Sequence, residues 1–203
     1  MERVPSLWRP GPGRLLRLVL GLACFGAGEG LVVVSALGNS PWTVFAEGVS
    51  VQTPLSVGLA TIATSFLVLL LWVPLGVRPG LGTVMNALLV GAFIDLTLLA
   101  VGDPSGLAVR SALLLGGIAM VGLGSGLYLG ASLGPGPRDG LMTGLHARTG
   151  LPIAPVRGGI EVTALVAGAL LGGTFGVGTL AFAVLIGPAV ALGIRLLPAR
   201  VLT

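Results

Sequence analysis

Five charged residues fall inside or at the edge of apolar stretches, where a charge is hardest to keep: Glu29, Asp95, Arg110, Arg157 and Glu161. An ionised side chain deep in hydrocarbon costs at least about 2.5 kcal/mol on insertion scales, so each is a functional suspect by position alone. The chemistry open to the acids is proton uptake and release, because desolvation raises a carboxyl pKa. Arg157 precedes Glu161 by four residues, which places both on one helical face. They read either as a local ion pair that eases an arginine near the membrane boundary or as a cation beside a working acid. Glu29 has Arg110 as a candidate partner across the bundle. A second concentration of polarity is GPGPRDGLMTGLHARTGLP, Gly134 to Pro152, with Arg138, Asp139, Arg148 and the single histidine, His146.

Other chemistries lack their residues. There is no lysine, hence neither a phosphate-binding P-loop nor a Schiff base. One histidine and one cysteine do not make a dedicated transition-metal site. Ser125 and His146 are the only nucleophile and base worth pairing, and no nucleophile motif surrounds the serine. No catalysis, cofactor or metal is therefore expected. Cys24, the only cysteine, lies inside an apolar span and forms no internal disulfide.

The elements that position these residues are membrane spans. Of the 203 residues, 54% are hydrophobic and 9% charged, and the mean hydropathy is +1.04. Apolar runs of about 20 residues cannot be hidden in a soluble domain of this size. The expected architecture is an all-α membrane protein with six spans, near 15–37, 54–75, 81–101, 107–133, 154–174 and 177–197. Only the turn Gly102-Asp103-Pro104-Ser105-Gly106 divides the third from the fourth. All eleven basic residues are arginines. With residues 1–14 in the cytoplasm, ten of them, Arg3 and Arg200 included, fall on or near the inner face and only Arg110 does not. Both termini are then cytoplasmic, and the basic charge reports orientation rather than nucleic-acid binding. The first span contains Glu29 and lacks a small-residue cleavage site, so it reads as an anchor and not a removable signal.

Residues 21–98 align without a gap on residues 117–194, with 22 of the 78 pairs identical. Gly26, Gly28 and Gly30 fall on Gly122, Gly124 and Gly126, Pro41 on Pro137, and Gly80-Leu81-Gly82-Thr83 on Gly176-Val177-Gly178-Thr179. The chain thus divides into a first repeat, 15–106, and a second, 107–203. Three crossings each make them inverted, an arrangement of secondary transporters and also of channels. Within each repeat a short helix, 41–51 or 137–148, starts at a proline and is too short to cross. It lies flat in the interface or dips in as a re-entrant half-helix. Gly26 to Gly30 and Gly122 to Gly126 have the small-xxx-small spacing that lets helices touch backbone to backbone, which is expected to make the first and fourth spans cross.

Leu133-Gly134-x-x-Pro137-x-Asp139-x-Leu141, then Arg148-Thr149-Gly150, Arg157-x-x-x-Glu161, Leu171-Gly172-Gly173 and Gly176-Val177-Gly178-Thr179 ending in Ile186-Gly187-Pro188 resemble the YczE/YyaS/YitT group of bacterial integral membrane proteins. The likeness is dense over 116–190 and continuous but weaker through the first repeat. It implies a multi-pass protein of a bacterial plasma membrane. Some members of that group are linked with production or export of secondary metabolites. The expected function is a secondary transporter or exporter of a small molecule bound between the repeats. Its pathway residues would be Glu29, Asp95, Arg138, Asp139, Arg157 and Glu161, with Glu161 first for proton coupling. The alternative is a non-transporting membrane accessory or scaffold. Expected partners are the lipid bilayer, a small-molecule substrate and a second copy of the chain.

Overall fold

The computed structural model describes residues 7–197, and its ordered elements there are eight helices: α1 (Pro12–Ser35), α2 (Pro41–Gln52), α3 (Val57–Leu75), α4 (Leu81–Ala100), α5 (Leu107–Gly130), α6 (Pro137–Thr149), α7 (Ile153–Leu170) and α8 (Val177–Leu196). All except α2 and α6 are long and apolar enough to cross a membrane, which makes six. The turn at 102–106 does separate α4 from α5. Arg3 and Arg200 lie outside the described residues.

Helix ends follow local chemistry. Pro12, Pro41 and Pro137 occupy the first turn, where a missing N–H costs nothing. Gly76 and Gly150 close α3 and α6 in the left-handed region, with φ of 69° and 71°. Large apolar side chains such as Leu70, Leu99, Leu170 and Val184 stand outward, the surface a lipid solvent asks for.

The two halves build the same elements at the same spacing. Helices α2, α3 and α4 begin 96 residues before α6, α7 and α8 respectively. The loops match in backbone conformation: φ is 49° at Ala36 and 53° at Ser132, then 116° at Gly38 and 113° at Gly134. Each loop is pinned to the last helix of the other half, since the Gly178 N–H donates to the Leu37 carbonyl and the Gly82 N–H to the Leu133 carbonyl, both at 2.8 Å. The arginines obey the same register. Arg14 Nε donates to the Ala131 carbonyl at 3.0 Å, at the end of α5, and Arg110 Nε to the Ser35 carbonyl at 2.8 Å, at the end of α1. Both cap carbonyls that a helix C-terminus leaves without intrahelical donors. The expected Glu29–Arg110 pair is therefore absent: Arg110 serves the end of α1 instead.

Packing is organised by small residues, as it must be where lipid is as apolar as the side chains. Helices α1 and α5 cross at the centre, with Gly21 against Gly124 and Gly28 against Gly117. The small-xxx-small pairs singled out in the sequence sit on other contacts. Gly26 and Gly30 abut Val90 and Thr97 of α4, while Gly122 and Gly126 abut Ala189 and Gly193 of α8. The crossing of the first and fourth spans is present, but glycines seven residues apart make it. A helix presents one face to one neighbour, and the four-residue stripe faces the flanking helix. Outside this core, α2 packs on α7 and α6 on α3, so each short helix leans on a span of the other half.

Candidate functional site

A cavity of about 250 Å³ lies where the two halves meet, lined by residues from all eight helices. Its floor and roof are the first turns of α2 and α6. At α2, Ser40 does not cap its own helix; its Oγ lies 2.9 Å from Glu29 Oε2 and that of Thr43 lies 2.8 Å from the same oxygen. Glu29 is fully buried, and its Oε1 has no hydrogen-bond partner. The α2 dipole places partial positive charge beside this carboxylate.

The second half exchanges these parts. There the acid is on the short helix: Asp139 Oδ2 accepts from the Tyr128 hydroxyl of α5 at 2.6 Å. Position 125, the counterpart of Glu29, is a serine whose hydroxyl donates to the Val121 carbonyl at 2.7 Å. Trp42 and Arg138, also counterparts, meet with the guanidinium carbon over the ring, 5.4 Å from its centroid. That distance is within cation–π range.

Arg157 and Glu161 complete one wall from α7. Their side chains touch at 2.8 Å and are 54% and 37% exposed, so this pair is far more open than Glu29. Thr61 and Ser65 hold the matching places on α3 and also line the cavity. The seams beside the cavity differ between halves. Helix α3 closes on α4, Gly58 against Gly91. In the second half α7 barely touches α8, and a Cβ on Gly187, the counterpart of Gly91, would meet no atom within 4 Å.

Of the six expected pathway residues, Glu29, Arg138, Asp139, Arg157 and Glu161 are brought together. Asp95 is not among them. It accepts from the Gly58 N–H at 2.8 Å and from the Ser56 hydroxyl, which caps α3 and locks the α3–α4 seam. A carboxylate there answers the four free N–H groups of a helix start. Sequence reasoning missed Tyr128, Asn86, Ser65 and Trp42 as lining residues. Tyr128 is the only tyrosine, and Asn86 a lone amide in an apolar span, which were the available signals. Among the described residues no three His, Cys, Asp or Glu side chains gather as a metal site would require.

The chain matches DUF6198, described as a family of unknown function, over residues 12–195. An uncharacterised protein of Haemophilus influenzae is 40% identical over 185 residues, 91% of this chain and 85% of that protein. The uncharacterised membrane protein YczE of Bacillus subtilis is 35% identical over 173 residues, 82% of this chain and 79% of the relative. No solved structure matches.

Proposed function

The chain belongs to the DUF6198 family and is a YczE-like membrane protein, and we propose that it is a secondary transporter moving a small molecule through the cavity between two inverted halves. The observation that carries this reading is the composition of the cavity wall. Most of it comes from counterparts at the 96-residue offset: Glu29 with Ser125, Trp42 with Arg138, Ser65 with Glu161, Asn86 with Phe182. A cavity on a pseudo-two-fold axis presents the same geometry to both sides, which alternating access uses.

In this reading α2 and α6 are re-entrant half-helices entering from opposite faces, their N-termini meeting at the cavity. Their far ends support it. Gln52 at the end of α2 donates to the Leu171 carbonyl at the end of α7, and Arg148 at the end of α6 to the Pro74 carbonyl at the end of α3. The arginine distribution supports an orientation with both termini in the cytoplasm of a bacterial cell. The tight α3–α4 seam then seals the outer half and the loose α7–α8 seam opens the inner half, so this conformation faces inward.

Single cysteines replacing Ser125 or Asn86 in a Cys24→Ala background test the pathway without knowledge of the substrate. A membrane-impermeant maleimide should reach both from the inner side of vesicles. Failure to label from either side would end the transport reading and leave the accessory role, in which the cavity is sealed structure.

A further inference from the structure

We propose that the cavity selects a small organic cation, a protonated amine on an apolar or aromatic body, and that Glu29 is the residue that holds its charge. The inference rests on the transport reading above and adds the ligand class to it.

Glu29 is the one acid of the cavity left incomplete. Two hydroxyls satisfy Oε2, whereas Oε1 is buried without a partner. An unsatisfied buried acceptor carries its full desolvation penalty, more for a charged group than a neutral one. Nor do Arg110, Arg138 or Arg157 neutralise it. Arg110 caps α1, Arg138 lies on the Trp42 ring, and Arg157 is held by Glu161. The Ser40 and Thr43 hydroxyls and the start of α2 turn the positive ends of their dipoles to this carboxyl group and supply no full charge. What is missing is therefore a cation with an N–H to donate.

The adjoining surface fits the rest of such a molecule. Phe25, Trp42, Tyr128 and Phe182 line the cavity, and Phe25 meets Tyr128 edge to face with centroids 6.2 Å apart. Aromatic faces attract cations, most strongly where water is excluded. A volume of about 250 Å³ sits just under the range of drug-sized pockets, about 300–1,000 Å³. The exposed Arg157–Glu161 pair stands at the open seam, where it leaves no uncompensated charge for a ligand.

One carboxylate that holds either an ammonium or a proton also defines the exchange. The amine leaves with its positive charge as a proton from the receiving side binds Oε1. The proton returns to solution when the next ammonium arrives, so one charge replaces one charge and the cycle is electroneutral.

The test is calorimetric titration of the full chain in nanodiscs at neutral pH with phenethylammonium, and with phenylacetate as the anion of the same shape. Phenethylammonium should bind and phenylacetate should not. Glu29→Gln should weaken the amine by about tenfold or more, equivalent to about 1.4 kcal/mol. Glu29→Asp should keep measurable binding, which guards against a Gln variant that fails to fold, and Asp103→Asn, in the 102–106 turn outside the cavity lining, should bind like the parent. Preference for phenylacetate, no binding of the amine, or a folded Glu29→Gln with parental affinity would each overturn the assignment. The maleimide labelling of the Ser125 and Asn86 positions reads the pathway separately, so a wrong ligand class and a wrong pathway give different results.

Discussion

Arg110 is the arginine that the orientation count leaves on the wrong side, and its hydrogen bonds explain its position. With Arg14 it forms a reciprocal pair, each guanidinium capping the end of the other half's first helix. A hydrogen bond from a charged donor is worth about 1.5–3 kcal/mol, and its loss here strands carbonyls at the end of α1. Arg110→Leu should destabilise the protein by about 2 kcal/mol, seen as a lower thermal midpoint in detergent; an unaltered melt would remove the capping role. The 96-residue spacing of the two arginines was visible in the sequence. What concealed it is that an arginine at the start of an apolar span reads as a topological signal, and no spacing rule says which carbonyl it reaches. Glu29 was legible in the same partial way. Its depth marked it, but its partners Ser40 and Thr43 lie on another helix, and only the fold shows that they leave one oxygen bare. Asp95 had the same mark and the opposite outcome, because a helix start happens to face it.

Helices were read well because hydropathy and proline-glycine punctuation act locally. The contacts between them were read less well. Small-xxx-small spacing announces that a helix has a close neighbour, without naming which, and Gly26, Gly30, Gly122 and Gly126 found α4 and α8. Complementary volume is likewise invisible along one chain. Trp72 covers Gly140 where α3 meets α6, whereas Gly168, the counterpart of Trp72, receives the backbone of Val44 and Phe45 where α7 meets α2. Gly168→Leu should therefore force α2 off α7, and overpacking of this kind costs about 1–3 kcal/mol or more. The expected result is a markedly lower melting temperature, and a normal melt would mean that the contact yields. Gly187→Ala offers the converse test. It has open space where α7 and α8 stand apart, so stability should hold. If α7 must close on α8 during the cycle, the added methyl should nevertheless slow outward access of a cysteine at position 125, read by external maleimide. Parental labelling rates would show that this seam does not close.

At the scale of the molecule, the two halves share elements, loop conformations and arginine caps, and differ in which seam is shut. In the transport reading, inverted halves in the same conformation would leave a cavity open to both sides or to neither, and a difference between them would give the cavity one side. The shut seam is held by Gly58 against Gly91 and by Asp95 on the start of α3; its counterpart has Ala154 and Ala191 at the matching positions, with no acid to make the lock. Exchange of the two arrangements requires α7 to approach α8 while α3 leaves α4, and Asp95 must give up two hydrogen bonds for that. Asp95→Asn should weaken the lock, since a carboxylate answers a helix start better than an amide does, and should shift the population outward by about tenfold for about 1.4 kcal/mol. A cysteine pair at Ala154 and Gly187, in the Cys24→Ala background, reads that population directly. Crosslinking should be slow in the parent, faster with Asp95→Asn, and should stop internal labelling at position 125 until reductant is added. A crosslinking rate indifferent to Asp95 would mean that the seams move independently, and that the cavity does not alternate between the two faces.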